Sequence, residues 1–129
     1  DFAHDDVVRA SSERVALDTL DAVVARQGLS RVDMVKVDVE GGEAGVVAGA
    51  RHVLATARPV LLMELNERAL HAQGQSAETL LSLLRQELDY EILTFSQVGG
   101  WPECAVEGAP LSANIVAVPK ERADALLKA

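Results

Sequence analysis

Three charged side chains alternate along one short stretch, where single valines separate Lys36, Asp38 and Glu40. Alternate residues of an extended strand point to the same side and lie ~6.5–7 Å apart, so these charges are neighbours if the stretch is a strand. A carboxylate beside a reacting hydroxyl can accept its proton. We therefore predict that Asp38 and Glu40 act as acid–base groups or polar ligands, with Lys36 as their charge partner.

The same pattern also fits a strand at the edge of a sheet with one face in solvent. In that interpretation Lys36 and Asp38 form a surface ion pair that has no part in chemistry. Because clustered carboxylates bind hard cations, a third interpretation is a metal-dependent hydrolase built on Asp38, Glu40 and Glu64. Two carboxylates at this spacing do not identify a metal site by themselves, and we predict none.

Polar residues also follow the next predicted strand, as Glu64 and Asn66. In open α/β sheets, ligands bind at the carboxyl ends of the strands. Parallel neighbours would bring this ending beside Asp38 and Glu40. We predict that Glu64 and Asn66 form a second polar wall of the same cleft, although strands also commonly end in polar loops. Glu43 opens the next helix and adds a carboxylate near the same turn.

Hydrophobic periodicity and turn residues divide the chain into alternating helices and strands. The predicted elements are, in order, a helix from about Asp18 to Gly28 with Leu17 on its apolar face, a strand over 32–39, a helix from about Glu43 to Ala57, a strand over 60–65, a helix capped by Ser76, strands over 90–95 and 114–118, and a terminal helix over 120–129. Strand–helix alternation predicts an α/β fold with parallel strands. The last two strands have no helix between them, which favours an antiparallel closing hairpin.

The composition of the chain excludes several classes of function. Its 129 residues are 49 % hydrophobic and 25 % charged, which is typical of a globular domain. We predict a connector over residues 1–14 and a single domain over 15–129. The net charge of −8, without a cluster of Lys and Arg, argues against nucleic acid and membranes as partners. No apolar run approaches the ~20 residues of a membrane span. The single cysteine, Cys104, fits a reducing compartment, so we predict a cytoplasmic protein.

The stretch from Val32 to Glu43 resembles the signature vDxxKxDvEGxE of the FkbM-type S-adenosylmethionine-dependent methyltransferases. Other segments are similar to the family's motifs in order and spacing: Leu17–Asp21 (LDTLD), Gly49-Ala50, Arg58–Glu64 (RPVLLME) and Asn114–Pro119 (NIVAVP). The resemblance runs from about Val15 to Pro119. The first motif is fairly specific, and the others support it.

The resemblance implies the C-terminal half of a Rossmann-like class I methyltransferase sheet, with S-adenosylmethionine as the cofactor. Its sheet order would place the strand at 114–118 between those at 60–65 and 90–95. The family generally methylates hydroxyl groups, so the implied partner is a small-molecule or sugar acceptor. The implied roles are catalysis for Lys36, Asp38 and Glu40, cofactor binding for Asp38 and Gly41, and acceptor binding for Glu43, Glu64 and Asn66.

Parts of the family's cofactor site have no counterpart in this sequence. No stretch before Val32 resembles the glycine-rich turn or the acid that holds the cofactor ribose, so we expect the chain alone to be catalytically inactive. One side of the strand at Met34–Val39 would be unpaired, and an open strand edge favours association. We expect this edge to pair with a missing N-terminal half or with a second copy. The alternative function is a non-catalytic module that dimerises through the edge.

Overall fold

The structure is a computed structural model that describes residues 11–95, 100, 102–106 and 113–127. Its elements are α1 (Leu20–Gln27), β1 (Met34–Val37), α2 (Glu43–Ala48), α3 (Arg51–Thr56), β2 (Val60–Glu64), α4 (Glu67–Ala72), α5 (Ala77–Gln86), β3 (Tyr90–Thr94), β4 (Glu103–Cys104), β5 (Asn114–Pro119) and α6 (Lys120–Leu127). No helix in the described ranges is long and apolar enough to cross a membrane.

The predicted connector and the predicted end of the chain fall partly outside the described residues. Residues 1–10 of the connector and residues 128–129 of the predicted terminal helix lie outside the described residues. Residues 11–19 form neither helix nor strand. The connector and the domain boundary therefore stay predictions.

Five strands form one mixed sheet in the order β1-β2-β5-β3-β4. β1 and β2 are parallel, and β5 is antiparallel to both β2 and β3. The predicted α/β fold and the antiparallel closing pair are confirmed, as is the place of β5 between β2 and β3. Two short elements are missing from the sequence prediction: β4, which has two residues, and α4, which has six and follows β2 almost directly.

The two faces of the sheet are covered to different extents. One face carries Val37 and Met63, which pack with residues of α2, α3 and α5 in the main core. The opposite face carries Leu93 and Val118, in a smaller cluster that includes Ala123 of α6. Within the described residues, α2, α3 and α5 therefore cover one face, whereas α6 covers part of the other.

Burial along β2 follows this asymmetry. The apolar run over 60–65 predicts burial on both faces. In the structure Leu61 and Met63 are buried, but Val60 and Leu62 are only half-buried. The reason is that α6 packs on β5 and β3, so no other described helix covers this face at β2 and β1.

The helix α1 begins one residue after Thr19, whose hydroxyl accepts a hydrogen bond from the N–H of Ala22 at 3.1 Å. A hydroxyl at this position satisfies an otherwise unpaired N–H, which is why helices often begin there. The prediction that Leu17 lies on the apolar face of this helix is therefore wrong. Leu17 precedes the helix and is 98 % exposed. Gly28, with a φ of 61°, ends α1 as predicted.

The single helix predicted over 43–57 is wrong, because the structure has two helices that separate at Gly49. Asp21 of α1 reaches across the break. Its N–H donates to the Gly49 carbonyl at 2.9 Å, and its carboxylate accepts from the N–H groups of His52 and Val53 at 3.0 and 2.9 Å. A carboxylate from another element thus caps the N-terminus of α3.

The guanidinium of Arg58 joins the segment before β2 to the end of α5 and to α6. It donates to both carboxylate oxygens of Glu121 at 2.8 Å each, and to three backbone carbonyls. It also lies over the Tyr90 ring, 4.8 Å from its centre, and Arg122 donates back to the Arg58 carbonyl. A planar group with five N–H donors suits such a junction. Arg58 therefore anchors α6 to the sheet.

Replacing Asp21 by alanine should lower the free energy of unfolding by about 1–2 kcal/mol, because two N–H groups at the start of α3 lose their acceptor. The matched control is Asp33→Ala, which removes a carboxylate paired with Arg31 where both side chains are largely exposed. Exposed pairs contribute at most about 1 kcal/mol. Urea unfolding followed by circular dichroism measures both variants, and equal losses would contradict the capping role of Asp21.

Stability in acid should depend on Glu121. Hydrogen bonds from Arg58 hold the pKa of the Glu121 carboxyl at about 2, below its ordinary 4.5. A carboxyl with a lowered pKa stabilises the folded state above about pH 4.5, and this stabilisation is lost as the pH falls towards about 2. Glu121→Gln should therefore unfold more readily than the wild type near neutral pH, and the difference should shrink across that acidic range.

Urea unfolding at stepped pH values measures this difference. Glu103→Gln, at an exposed residue of β4, is the control for loss of a surface carboxyl. A difference between wild type and Glu121→Gln that stays constant from neutral pH into acid would show that the Arg58 contact does not control acid stability.

Candidate functional site

The strands β1 and β2 end side by side. They pair in parallel with Val37 opposite Met63, so the residues that follow, Asp38 and Glu64, emerge at the same edge of the sheet. Both side chains are exposed. The parallel pairing is as predicted, and it brings the two candidate carboxylates to one place.

Lys36 and Asp38 form a surface ion pair, with 3.6 Å between Nζ and Oδ2. The Lys36 side chain is 66 % exposed and the Asp38 side chain 44 %. Because exposed pairs of this kind contribute only about 0–1 kcal/mol, a ligand can replace one partner at little cost in stability. Asp38 therefore keeps a surface that a hydrogen-bond donor can reach.

A tight turn follows β1, in which the Gly42 N–H donates to the Val39 carbonyl at 3.4 Å. Its two central residues both have positive φ, 46° at Glu40 and 104° at Gly41. A turn of this pattern is the mirror image of the commonest type and favours residues that tolerate positive φ. Glutamate adopts this left-handed conformation at a cost, and strained residues of this kind concentrate at functional sites. Glu40 thus combines an unusual backbone with an exposed side chain.

Gly41 is pressed against α4. A Cβ at this position would lie 2.7 Å from the carbonyl oxygen of Ala69, which is closer than non-bonded atoms approach. Gly41 is buried, and its N–H already donates to the Glu43 carboxylate. Gly41 is the predicted cofactor-binding residue, but its N–H is already hydrogen-bonded within the protein. Because Gly41 has no side chain, it also allows the turn to lie close to α4.

Glu43 begins α2 and has no exposed surface. Both of its carboxylate oxygens accept the Gly41 N–H, at 3.0 and 3.1 Å. The sequence predicts that Glu43 binds the acceptor, but in this structure it presents no surface that an acceptor could touch. Its contacts give it a role in shaping the turn.

Asn66 and Glu67 cap the helices that follow β2. Asn66 Oδ1 accepts the Ala69 N–H at 3.0 Å and so begins α4. Glu67 accepts the Ala77 N–H at 3.1 Å, at the start of α5. Of the predicted second wall, the Asn66 side chain is thus engaged in a helix cap, whereas Glu64 is exposed at the end of its strand.

A groove of about 420 Å³ opens beside the turn, between α2 and α5. Gly42 and Ala44 form one side, and Thr79 and Leu83 form the other. None of the candidate carboxylates lines it. The groove and the carboxylates at the strand ends are therefore separate features of the surface.

The metal interpretation has no ligand set in the part of the chain that the structure describes. No three residues of the types His, Cys, Asp and Glu lie there close enough together to hold a metal ion. A hydrolase built on Asp38, Glu40 and Glu64 would need these carboxylates to converge on one point.

Residues 3–92 match the family model of the methyltransferase FkbM domain. The match covers well over half of the chain and includes every candidate site residue. The chain belongs to the FkbM methyltransferase family. The resemblance in the sequence is thereby confirmed, although the closing segment Asn114–Pro119 lies beyond the matched residues.

This FkbM-family chain is also similar to the AMB antimetabolite synthetase AmbE of Pseudomonas aeruginosa, at 36 % identity over 83 residues. The aligned residues are 64 % of this chain and 4 % of AmbE. The chain therefore spans only a small part of that protein's length. No solved structure matches the chain.

Methyltransferases of this family use S-adenosylmethionine, whose methionine end carries an amino group and a carboxylate. The exposed groups at the strand ends are two hydrogen-bond acceptors, Asp38 and Glu64, and one cation, Lys36. This set suits the charges of that end of the cofactor. These three side chains match the methionine end of the cofactor and no other part of it.

Sequence analysis of this FkbM-family chain missed Ala69, the residue against which the turn is fixed. Its helix α4 had a recognisable signal, because Asn66 is a good cap and is followed by the helix-forming run Glu-Arg-Ala-Leu-His-Ala. The positive φ of Glu40 had no signal of its own.

Gly41→Ala should destabilise this methyltransferase-family fold more than Gly74→Ala. Both glycines have positive φ, 104° and 71°, so alanine carries a backbone penalty of roughly 1–2 kcal/mol at either position. An added Cβ meets nothing within 4 Å at Gly74, but meets the Ala69 carbonyl at 2.7 Å at Gly41. Crowding should add about 1–3 kcal/mol at Gly41. Equal free energies of unfolding in urea would contradict the close approach to α4.

Proposed function

We propose that this chain supplies the acceptor side of the cleft in an S-adenosylmethionine-dependent methyltransferase that methylates a hydroxyl group of a small molecule or sugar. Family membership supports methyl transfer in general. The observation that carries the finer proposal is the parallel pairing that brings the exposed Asp38 and Glu64 to one edge of the sheet. In open α/β sheets this edge is where ligands bind.

Asp38 is the proposed proton acceptor. A carboxylate has two oxygens that each accept hydrogen bonds, so one can face the acceptor hydroxyl and the other the cofactor's amino group. When bound, S-adenosylmethionine would supply the methyl group that the acceptor oxygen receives and would leave as S-adenosylhomocysteine. The hydroxyl proton passes to Asp38, whose charge Lys36 balances at 3.6 Å before the transfer.

Glu40 and Glu64 are the proposed binding groups for the acceptor. Both have exposed carboxylates, which accept hydrogen bonds from the hydroxyl groups of a sugar or polyol. Asn66 lies at the end of this polar wall, where its side chain caps α4. Holding the nucleophile in line with the methyl donor accounts for most of the remaining catalysis.

Most contacts to the cofactor are proposed to come from another segment. β1 is the terminal strand of the sheet order, and within the described residues no strand pairs with its outer edge. Met34 on this strand is 62 % exposed. We propose that a strand from the N-terminal half of the methyltransferase domain pairs here and completes the cofactor site. On this proposal the 129-residue chain by itself transfers no methyl group.

A small-molecule acceptor is supported by the similarity to AmbE, whose name is that of an antimetabolite synthetase. The net charge of −8 disfavours nucleic acid as the acceptor. We place the reaction in the cytoplasm, where an exposed thiol such as that of Cys104 stays reduced.

Asp38→Asn should slow methyl transfer by about 10²–10⁴-fold, because an amide cannot take up the hydroxyl proton.

Glu64→Gln should raise the KM for the acceptor more than it lowers kcat, since it weakens binding of the acceptor. The assay follows tritiated methyl groups from S-adenosylmethionine to a hexose glycoside, a deoxyhexose glycoside and a hydroxylated macrolactone. It uses the polypeptide as the cell makes it, with Asp33→Asn as the control for a lost surface carboxylate.

Calorimetry with S-adenosylhomocysteine shows whether each variant still binds the cofactor product. An Asp38→Asn variant that transfers methyl groups at the wild-type rate would remove Asp38 from the reaction. Methyl transfer by the isolated 129-residue chain would contradict the need for a further segment.

A second candidate function is a non-catalytic module that dimerises through the open edge of β1. The residues of this edge are self-complementary. If two copies of β1 paired in antiparallel fashion about Val37, Lys36 of each copy would lie opposite Asp38 of the other, and opposite charges facing each other stabilise a strand pair. Light scattering at micromolar concentration distinguishes the candidates, because a monomer counts against dimerisation.

A further inference from the structure

One buried charge has no part in the proposed chemistry. Glu43 has no exposed surface, and its two carboxylate oxygens share a single N–H donor, that of Gly41. Within the described residues no cation forms an ion pair with it. Because a buried carboxylate with so few partners is costly, packing alone does not explain its position.

The helix that Glu43 begins explains only part of the arrangement. Glu43 is the first residue of α2, where the helix dipole favours a negative charge. Its oxygens, however, point back to the N–H of Gly41, which precedes the helix. The carboxylate therefore acts on the turn after β1.

That turn connects the two strand ends. Gly41 touches Ala69 of α4, and the Ala69 N–H donates to Asn66, two residues beyond β2, at 3.0 Å. A chain of contacts thus runs from Glu43 through Gly41 and Ala69 to the end of β2. This chain of contacts links the turn that contains Glu40 to the end of β2.

We propose that Glu43 is a positioning residue for the methyl acceptor. By holding the Gly41 N–H it keeps Glu40 in its left-handed conformation, φ 46°, and fixes the spacing between Glu40 and Glu64. Glu43 itself touches neither cofactor nor acceptor. The inference rests on the proposed function of the strand ends, where a misplacement of about 1 Å can lower a rate by the order of 10²-fold.

The variants Glu43→Ala and Glu43→Gln separate the hydrogen bond from the charge. In Glu43→Ala the Gly41 N–H loses its acceptor, so its hydrogen exchange should rise about tenfold. The kcat/KM for the acceptor should fall on the order of 10²-fold, with the KM for S-adenosylmethionine unchanged. In Glu43→Gln an amide oxygen still accepts the N–H, so exchange and the kcat/KM for the acceptor should stay within a few-fold of wild type.

Asp21→Ala is the control for lost stability, because it should lower the free energy of unfolding at the cap of α3 without changing the turn after β1. All variants are compared in the polypeptide as the cell makes it, at a temperature where unfolding curves show each to be folded. Transfer to the glycoside and macrolactone acceptors gives kcat and KM, and nuclear magnetic resonance gives the exchange of the Gly41 amide.

The positioning role is overturned if Glu43→Ala turns over as fast as Asp21→Ala, or if Glu43→Gln is as slow as Glu43→Ala. A wild type that transfers no methyl group overturns the proposed function instead. Hydrogen exchange then still tests whether Glu43 holds the turn. An exchange rate of the Gly41 amide that is the same in Glu43→Ala as in the wild type would show that it does not.

Discussion

The hydrogen bond from the Gly41 N–H to the buried Glu43 carboxylate fixes the turn on which the candidate site depends. With Gly41 held there, the backbone of the turn lies against the Ala69 carbonyl of α4. A side chain at Gly41 would push the two apart. The parallel pairing of β1 with β2 places the exposed Asp38 and Glu64 at one edge of the sheet, and the turn brings the segment after β1 against α4.

The uneven cover of the sheet explains why those carboxylates are accessible. The main core lies on the face covered by α2, α3 and α5, and it takes up the apolar side chains of β1 and β2 that point that way. Alternate residues point to the other face, where α6 packs on β5 and β3. Arg58 anchors α6 through Glu121 at the opposite ends of the strands from the turn. The Arg58 anchor and the candidate site thus lie at opposite ends of the strands.

Local signals in the sequence predicted most of the fold. The cap at Ser76 depends only on neighbouring residues, and its prediction holds. The alternation around Lys36 predicted a strand over 32–39, but the strand spans only Met34–Val37, because the chain turns at Glu40 and Gly41, where φ is positive. The break between α2 and α3 could not be predicted in this way, because Asp21, the residue that caps α3, lies in another helix. The same limit applies to Glu43. Its motif marked it as a candidate for the site, but only its burial and its hydrogen bonds with the Gly41 N–H show that its carboxylate faces inwards.

The adjoining ends of β1 and β2 should face the reacting groups. A crystal structure of the polypeptide as the cell makes it, with S-adenosylhomocysteine bound, would show where the ligand lies. We expect the amino group of the ligand to lie within hydrogen-bond distance of Asp38, about 3 Å, next to a space bordered by Glu40 and Glu64. A ligand seated in the groove between α2 and α5, away from Asp38, would show that the strand ends do not hold the cofactor.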